Sequence, residues 1–310
     1  MPEQPAATQP ETLVSVGIPV RNGATTLRAA LDSVLRQKHR RIEVIISDNA
    51  SEDDTATLCQ EYAQADPRVH YFRQSTPLRG WQNFQFAFEQ STGDYFMWAA
   101  HDDVRDPDYV GTLLRGHRRN PSASLVFSDL VVFAPPASPQ DFPIEPYEFS
   151  TAGLSRREAL RRLYRRRRYY EIYGLFRSAA LRNYNWAQSG FGEDLLFLTW
   201  VLLTGDAVYE PGSRFYYAKH LQSRQQHIAR HSLKAPPAFQ VEQLVWQGAG
   251  IATAETHTVI RLPCRVACFI DFHWQWHHQV RARKPSSRLS NWVRNFLRAA
   301  LQRLRASRAR

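Results

Sequence analysis

Cysteine is scarce in this chain: Cys59, Cys264 and Cys268 are the three in 310 residues, too few and too scattered for a disulfide framework. Cys264 and Cys268 stand four apart, on one helical face, but no second pair completes a zinc site. Buried thiols in a reducing compartment are the reading. No run comes near the ~18 apolar residues that a membrane-crossing helix needs. The opening MPEQPAATQPET has no apolar core of the kind a secretion signal carries. The expected location is therefore the cytoplasm. There is also no Gly-x-Gly-x-x-Gly turn, the device by which a dehydrogenase brings backbone up to a dinucleotide pyrophosphate. Arg21-Asn22-Gly23 supplies a single glycine, so a nicotinamide enzyme is excluded. A nucleotidyltransferase would need a glycine-rich first loop with a basic residue, and that is missing too.

What is present belongs to a folded chain: 43% hydrophobic, 12% aromatic and 22% charged residues supply a core. Forty Lys and Arg against 29 Asp and Glu leave a formal net charge of +11. Arginine concentrates at 156–168 and 281–310. Such charge suits a polyanion, whether nucleotide diphosphate, nucleic acid or an anionic membrane, or else it forms solvated basic faces.

Patterning begins at Leu13, after a loose tail over residues 1–12 that offers nothing to bury. LVSVGIPV predicts a strand, and Leu27, Ala30, Leu31, Val34 and Leu35 follow helical spacing. RIEVIISD is a second strand ending at Asp48, followed by a helix over about 53–65; Val69–Arg73 is a third strand, Trp81–Gln90 a helix and Asp94–Ala100 a fourth strand. Four alternations imply right-handed crossovers, a mostly parallel sheet and a ligand site at the carboxyl ends of its strands. Ser124–Phe133 reads as a further strand and the proline-rich 134–146 as a loop. Residues 155–182 carry helical patches; LLFLTWVLL reads as a buried helix stopped by Gly205, with short strands at Ala207–Pro211 and Arg214–Ala218.

Asp48 and the pair Asp102-Asp103 lie just past predicted strand ends. Carboxylates so placed suit a nucleotide-diphosphate site, because hard oxygen ligands hold Mg2+ or Mn2+ and leave positions for diphosphate oxygens. In a vicinal pair, one carboxylate can face the metal while its neighbour accepts bonds from ribose or sugar hydroxyls.

VSVGIPVRNGATTLRAALDSVLRQ, IEVIISDNASEDDT and STGDYFMWAAHDDVRDPDYV, in that order over Leu13–Asp108, resemble the donor-binding half of the family 2 glycosyltransferases, whose fold is called GT-A. The resemblance implies an α/β fold, Rossmann-like, with a mostly parallel sheet flanked by helices, and a nucleotide-diphosphate sugar as donor. Pro19 to Asn22 match the turn after the opening strand. Asp48 matches the residue that contacts the nucleobase, Asp102 falls on the ribose or sugar side, and Asp103 is the metal ligand. Ser47 and Ala100 stand where many relatives carry further aspartates. Phe191-Gly192-Glu193-Asp194 resembles the acceptor-side motif of the same family, with Asp194 as the base and Glu193 orienting it or the acceptor; both acids would also serve as caps of the following helix. A carboxylate there would take the acceptor proton, and one displacement inverts the anomeric centre. His220 is placed as a further metal contact from the C-terminal side. Tyr169–Gly174 with Arg177 occupy the stretch where acceptor contacts belong, and Asn83 and Trp81 that of the donor floor.

The organisation expected is thus a GT-A domain over 13–234, with a donor half at 13–110 and an acceptor half at 111–234, then a helical C-terminal region at 235–310. Its basic amphipathic helix, 287–306, sets Leu289, Trp292, Val293, Phe296, Leu297, Ala300, Leu301 and Leu304 on one face. Processive synthases of the family carry membrane spans and Gln-x-x-Arg-Trp; Gln222–Gln226 do not match, so a single-transfer enzyme is expected. Its product would be surface polysaccharide, lipopolysaccharide or another glycan. The partners would be a nucleotide-sugar, a glycan or lipid-linked acceptor and an anionic membrane surface, with the protein peripheral on the cytoplasmic face of the inner membrane. The competing class is an inactive GT-A-like protein that binds membrane or nucleic acid; no single-strand platform is recognisable, and no nucleic acid is expected. Removing residues 285–310 is expected to abolish sedimentation with vesicles containing anionic phospholipid. Unchanged sedimentation would sink the membrane reading.

Overall fold

The computed structural model describes residues 12–145, 149–164, 166, 169–184, 186 and 193–219. These all fall in the first of two compact units, Met1–Cys264, and the second is Arg265–Arg310. His220 and the whole of 235–310, with its amphipathic helix, lie outside the described residues.

The seven residues of β1 (Val14–Val20) are all buried, which is why this stretch reads as an unbroken apolar run. It lies between β2 (Ile42–Asp48) and β4 (Tyr95–Trp98), parallel to both, and β3 (Val69–Arg73) adds a fourth parallel strand beyond β2. The connections are α1 (Leu27–Leu35), α2 (Thr55–Ala65) and α3 (Gly80–Glu89). Leu27, Ala30, Leu31 and Val34 form the buried face of α1. Burying each leucine or valine contributes about 1.5–3 kcal/mol.

Past β4 the chain departs from simple alternation. A two-residue strand β5 (Val104–Arg105) leads into α4 (Tyr109–Arg119), then β6 (Ala123–Phe133), β7 (Ile144–Glu145), α5 (Arg156–Tyr164), a 3-10 turn at Tyr170–Tyr173, β8 (Leu175–Arg177), α6 (Ser178–Arg182), α7 (Glu193–Thr204) and β9 (Asp206–Ala218). All nine strands belong to one sheet in the order β3-β2-β1-β4-β8-β6-β9-β5, with β7 paired to β6. Strand β8 is antiparallel to both β4 and β6, while β6 and β9 are parallel. A division between halves at 110/111 therefore cuts the first turn of α4, and the sheet runs through both halves. Among the described residues no helix is long and apolar enough to cross a membrane.

The two short strands expected at 207–211 and 214–218 are one 13-residue strand. Its ladder to β6 slips between Phe127 and Asp129, where Asp129 accepts the Gly212 amide at 3.0 Å and the Tyr209 hydroxyl. The extra residues bulge out, with Gly212 at φ 105, and pairing resumes at Arg214. Helix α4 buries Tyr109, Val110, Leu113, Leu114 and His117 along one face and ends in His117-Arg118-Arg119, an amphipathic spacing present in the sequence.

His117 is buried at 1% exposure and stacks on Tyr95 at 4.7 Å, with Nε2 against the Leu175 carbonyl at 2.9 Å. That bond makes Nε2 the protonated nitrogen. Burial pushes the imidazole down from 6.5 to about 4. Since the unfolded chain binds the extra proton first, stability is lost as pH falls from 6.5 towards 4. His117→Phe is expected to flatten this dependence: between pH 7 and pH 5 the wild type should lose roughly 2 kcal/mol more than the variant, measured by urea denaturation. Parallel losses would show that His117 does not titrate this way.

Candidate active site

Three loops meet at the carboxyl ends of β1, β2 and β4, and side-chain-to-backbone bonds stitch them together. Asn22 takes the left-handed conformation, φ 53, which asparagine tolerates better than most residues. Its amide donates to Ser51 Oγ at 2.9 Å and its Oδ1 accepts the Glu52 amide at 2.9 Å. The Gly23 amide donates to Thr55 Oγ1 at 2.9 Å, and that of Ala24 to Asp53 Oδ2 at 3.1 Å. A Cβ on Gly23 would stand 2.6 Å from Val20 Cγ2 and 3.1 Å from His101 Nδ1, so only glycine admits the His101 ring there. Thr26 Oγ1 and His101 Nδ1 are 3.0 Å apart, which ties the first turn to the acidic one.

Asp48 does not present a carboxylate to an open pocket. It is 0% exposed; Oδ1 accepts the Ser51 amide at 2.9 Å and Oδ2 accepts the Tyr71 hydroxyl at 2.9 Å, with Arg73 Nε 3.8 Å away. The residue expected to contact a nucleobase thus also shapes the loop after β2 through these bonds. Pro19 is likewise buried inside β1 and shapes the turn from below, whereas Asn22 is exposed. Asn49 grips the backbone of Leu78 from both sides, at 2.6 and 3.0 Å. Asn83 is buried and binds Ser47 twice, at 2.6 and 2.9 Å, so it braces β2 and does not line an open floor.

In the acidic turn the two aspartates are unequal. Asp102 keeps part of its surface exposed, while Asp103 has none. Asp103 Oδ1 accepts the Ala218 amide at 2.8 Å, and Oδ2 is buried without a hydrogen-bond partner. Burial, with the Asp102 charge beside it, pushes the Asp103 carboxyl up to about 8, against the pull of the Ala218 amide and Arg105. The expectation that Asp103 is the open ligand and Asp102 its companion is thus reversed in exposure. Arg105 supplies the compensating charge from within. It is 4% exposed, donates Nη2 to the Trp98 carbonyl at 3.0 Å, and lies over Phe215 at 4.8 Å and Tyr109 at 5.9 Å.

A cation would meet two adjacent carboxylates here, and their repulsion is what its charge would relieve. Among the described residues no group of three or more His, Cys, Asp or Glu forms a cage. The donor set fits a hard divalent ion that takes its other ligands from a diphosphate. His220 lies outside the described residues.

Asp194 sits in the first turn of α7; Glu193 opens that helix, and its side chain lies outside the description. By accessible surface Asp194 is exposed, yet the protein around it pushes its carboxyl up to about 6. Both hold for a group on the wall of a cleft, and the raised value follows from that crowding. One turn later Phe197 packs edge-on against Trp98, the last residue of β4, at 5.2 Å, and against Phe176 of β8 at 5.4 Å. Aromatic packing of this kind fixes spacing, so the start of α7 is held at a set distance from the acidic turn. Burial is the main influence on Tyr173 and Tyr217, and the charges of Asp103, Asp102 and Asp194 add to it at both phenols. The contacts that fix their surroundings are the Ala218 amide on Asp103, one residue after Tyr217, and Phe197 on Trp98, three residues after Asp194.

Sequence reasoning missed Tyr217, Arg105, His101 and the Ala218 amide. An arginine two residues past the acid pair, and tyrosine in the alternating strand that brings up His220, were the available signals. Tyr170 and Tyr173 belong to the 3-10 turn and Tyr169 precedes it, while Arg177 donates to the Tyr95 hydroxyl at 3.0 Å and to the Ala123 and Pro121 carbonyls at 2.8 and 3.2 Å.

Comparison with known proteins agrees with this architecture. The model of the family described as Glycosyl transferase family 2 matches residues 15–183, more than half of the chain. A glycosyltransferase of Rickettsia typhi is 32% identical over 121 residues, 39% of this chain and 35% of that protein. The GalNAc(5)-diNAcBac-PP-undecaprenol beta-1,3-glucosyltransferase of Campylobacter jejuni is 27% identical over 120 residues, 38% of each. The aligned stretch thus spans little more than a third of these relatives. The crystal structure of S. aureus TarS 1-349 in complex with UDP-GlcNAc superposes with a TM-score of 0.58 at 16% identity, covering 79% of this chain and 68% of that one, a likeness of fold. With its GT-A sheet and the family's match over residues 15–183, the chain belongs to the family 2 glycosyltransferases.

Proposed function

We propose that this chain transfers one sugar, with inversion, from a nucleotide-diphosphate sugar to an acceptor hydroxyl, and that it needs a divalent cation to do so. The observation that carries the reading is the acidic turn: Asp102 and Asp103 lie past the end of β4, tied to β9 by the Ala218 amide at 2.8 Å, and Asp194 lies in the first turn of a helix packed on β4 through Phe197 and Trp98 at 5.2 Å. Two of these carboxylates stand at the strand end where an α/β sheet binds its ligand, and the third heads a helix on the far side. The TarS fragment was solved with UDP-GlcNAc and the Campylobacter relative is named for an undecaprenol-linked acceptor; these favour a nucleotide-sugar and a glycan or lipid-linked acceptor, in glycan synthesis at a membrane surface.

Asp102, with its open surface, is the residue we assign to the cation. Asp103 acts behind it, fixing the turn through the bond from the Ala218 amide. When bound, Mg2+ or Mn2+ would neutralise charge that develops on the leaving diphosphate. The stitched loops at Asn22, Ser51 and Asp53 hold the donor turn rigid, and Arg73 and Arg79 on its exposed rim favour an anion. Asp194 accepts the proton of the acceptor hydroxyl while that oxygen attacks the anomeric carbon from the side opposite the diphosphate. The new C–O bond forms as the old one breaks, and the nucleoside diphosphate leaves with the electron pair. A base at about 6 is ionised at neutral pH and still basic enough to help.

Titration calorimetry with UDP, GDP, CDP and dTDP, each with Mn2+ or chelator, tests the donor site. One diphosphate should bind only with metal. Asp102→Ala should weaken it at least ~100-fold, the scale of losing a charged ligand. Asp103→Asn, which keeps an acceptor for the Ala218 amide, should stay within ~10-fold. The opposite ranking would overturn the division of roles. For the base, log(kcat/KM) should rise with pH and level off above about 6, because below that value Asp194 holds its proton. Asp194→Asn should lower kcat by 10²–10⁴, roughly the scale of general-base catalysis, with diphosphate affinity intact. A rate already flat from pH 4 upward would rule Asp194 out as the titrating base.

A further inference from the structure

Four tyrosines around this sheet give their proton to a carboxylate. Tyr62 donates to Asp32 at 2.6 Å, Tyr71 to Asp48 at 2.9 Å, Tyr216 to Asp106 at 3.0 Å, and Tyr209 to Asp129. Tyr173 and Tyr217 do not. Neither hydroxyl has a hydrogen-bond partner among the described residues, and neither belongs to the buried unsatisfied atoms; both residues are partly exposed. They are nonetheless firmly placed. Their ring centroids are 6.4 Å apart, Tyr217 lies 4.8 Å from Tyr170, and Tyr173 lies 5.4 Å from Phe215. The residue after Tyr217 gives its amide to Asp103, so the phenol is tethered to the acidic turn by one residue of backbone.

Tyr173 and Tyr217 are thus two firmly packed, partly exposed phenols bonded to none of the three carboxylates, one of them a single residue from the tether to the acidic turn. A sugar ring has the matching chemistry: hydroxyls that both give and accept hydrogen bonds, and C–H faces that pack on aromatic rings. We infer that Tyr173 and Tyr217 form a subsite for a pyranose between the acidic turn and Asp194, each phenol bonding a ring hydroxyl. The inference rests on the transferase reading and deepens it by naming the residues that recognise sugar. Burial and the neighbouring acids push the Tyr217 phenol up to about 12, which keeps it a proton donor at any working pH. The pyranose is either the one carried by the donor or the one that ends the acceptor, and the two sources separate by experiment.

Tyr173→Phe and Tyr217→Phe, singly and together in the full chain, remove the hydroxyls and keep the rings. Thermal melting confirms folding. The first arm titrates whichever of UDP, GDP, CDP and dTDP the wild type binds with Mn2+, and then its glucose, N-acetylglucosamine and mannose conjugates. The second arm titrates methyl glucoside and methyl N-acetylglucosaminide onto the protein loaded with Mn2+ and diphosphate. Diphosphate affinity should stay within about twofold. For a donor pyranose, the affinity advantage of the nucleotide-sugar over the bare diphosphate should fall about fivefold per hydroxyl and at least ~20-fold in the double variant, the scale of a neutral hydrogen bond. For an acceptor pyranose, that advantage is unmoved and methyl glycoside binding falls by the same factor. Unchanged constants in both arms overturn the subsite, as does diphosphate affinity that falls in parallel with that of the nucleotide-sugar. A wild type that binds none of the four diphosphates overturns the transferase reading and the subsite with it. Binding that is normal in wild type and double variant alike removes only the subsite.

Discussion

A single hydrogen bond, from the Ala218 amide to Asp103 Oδ1 at 2.8 Å across 115 residues of sequence, organises everything around the site. The acidic turn hangs between the end of β4 and the start of β5, too short to hold a shape alone. Its tether to the far end of β9 makes it an extension of the sheet. Through the same strand come Tyr217 and, by the β5–β9 pairing of Arg105 with Phe215, the buried guanidinium. An enclosed carboxyl with one oxygen unpartnered is costly, and Arg105 and the amide offset that cost without forming a direct ion pair. Strength is not the point of such an arrangement; it holds charge at one place.

Around that anchor the rest of the pocket is a matter of short polar side chains used as backbone substitutes. Asn22, Ser51, Asp53 and Thr55 each occupy an amide or carbonyl that no ladder reaches, and Asn49 does the same for Leu78. Loops built this way are already rigid before a ligand arrives, so little ordering entropy remains to be lost on binding. Asp48 belongs with them. Its bonds from the Ser51 amide and the Tyr71 hydroxyl give it a part in setting the loop after β2.

How much of this was legible in sequence depends on the range over which each feature is decided. Strands β1 to β4 and helices α1 to α3 were readable because apolar periodicity is local, and the carboxyl-end placement of Asp48, Asp102 and Asp103 followed from it. Which of two adjacent aspartates faces solvent was not readable, since the answer lies with Ala218. The unity of β9 was hidden for the same reason: Asp129, some eighty residues upstream, captures the bulge. Helix α4 was missed because His117 and Thr112 look polar and are buried. A place for Asp194 opposite the acidic turn is implied by the family resemblance alone, and the packing of Phe197 on Trp98 that anchors its helix to β4 is not legible in sequence.

Strands β3, β2, β1 and β4 continue through β8 into β6, β9 and β5, so the acidic turn past β4 and helix α7, packed on β4 and β8 through Phe197, are set on one continuous sheet. Enzymes that close by swinging two domains need a seam with few bonds across it. Here the seam would have to run through β4, β8 and β6, and opening it would break paired strands. Substrate entry and product departure must then be timed by loops at the rim. Turnover in such a frame would be governed by how fast a few connecting segments rearrange.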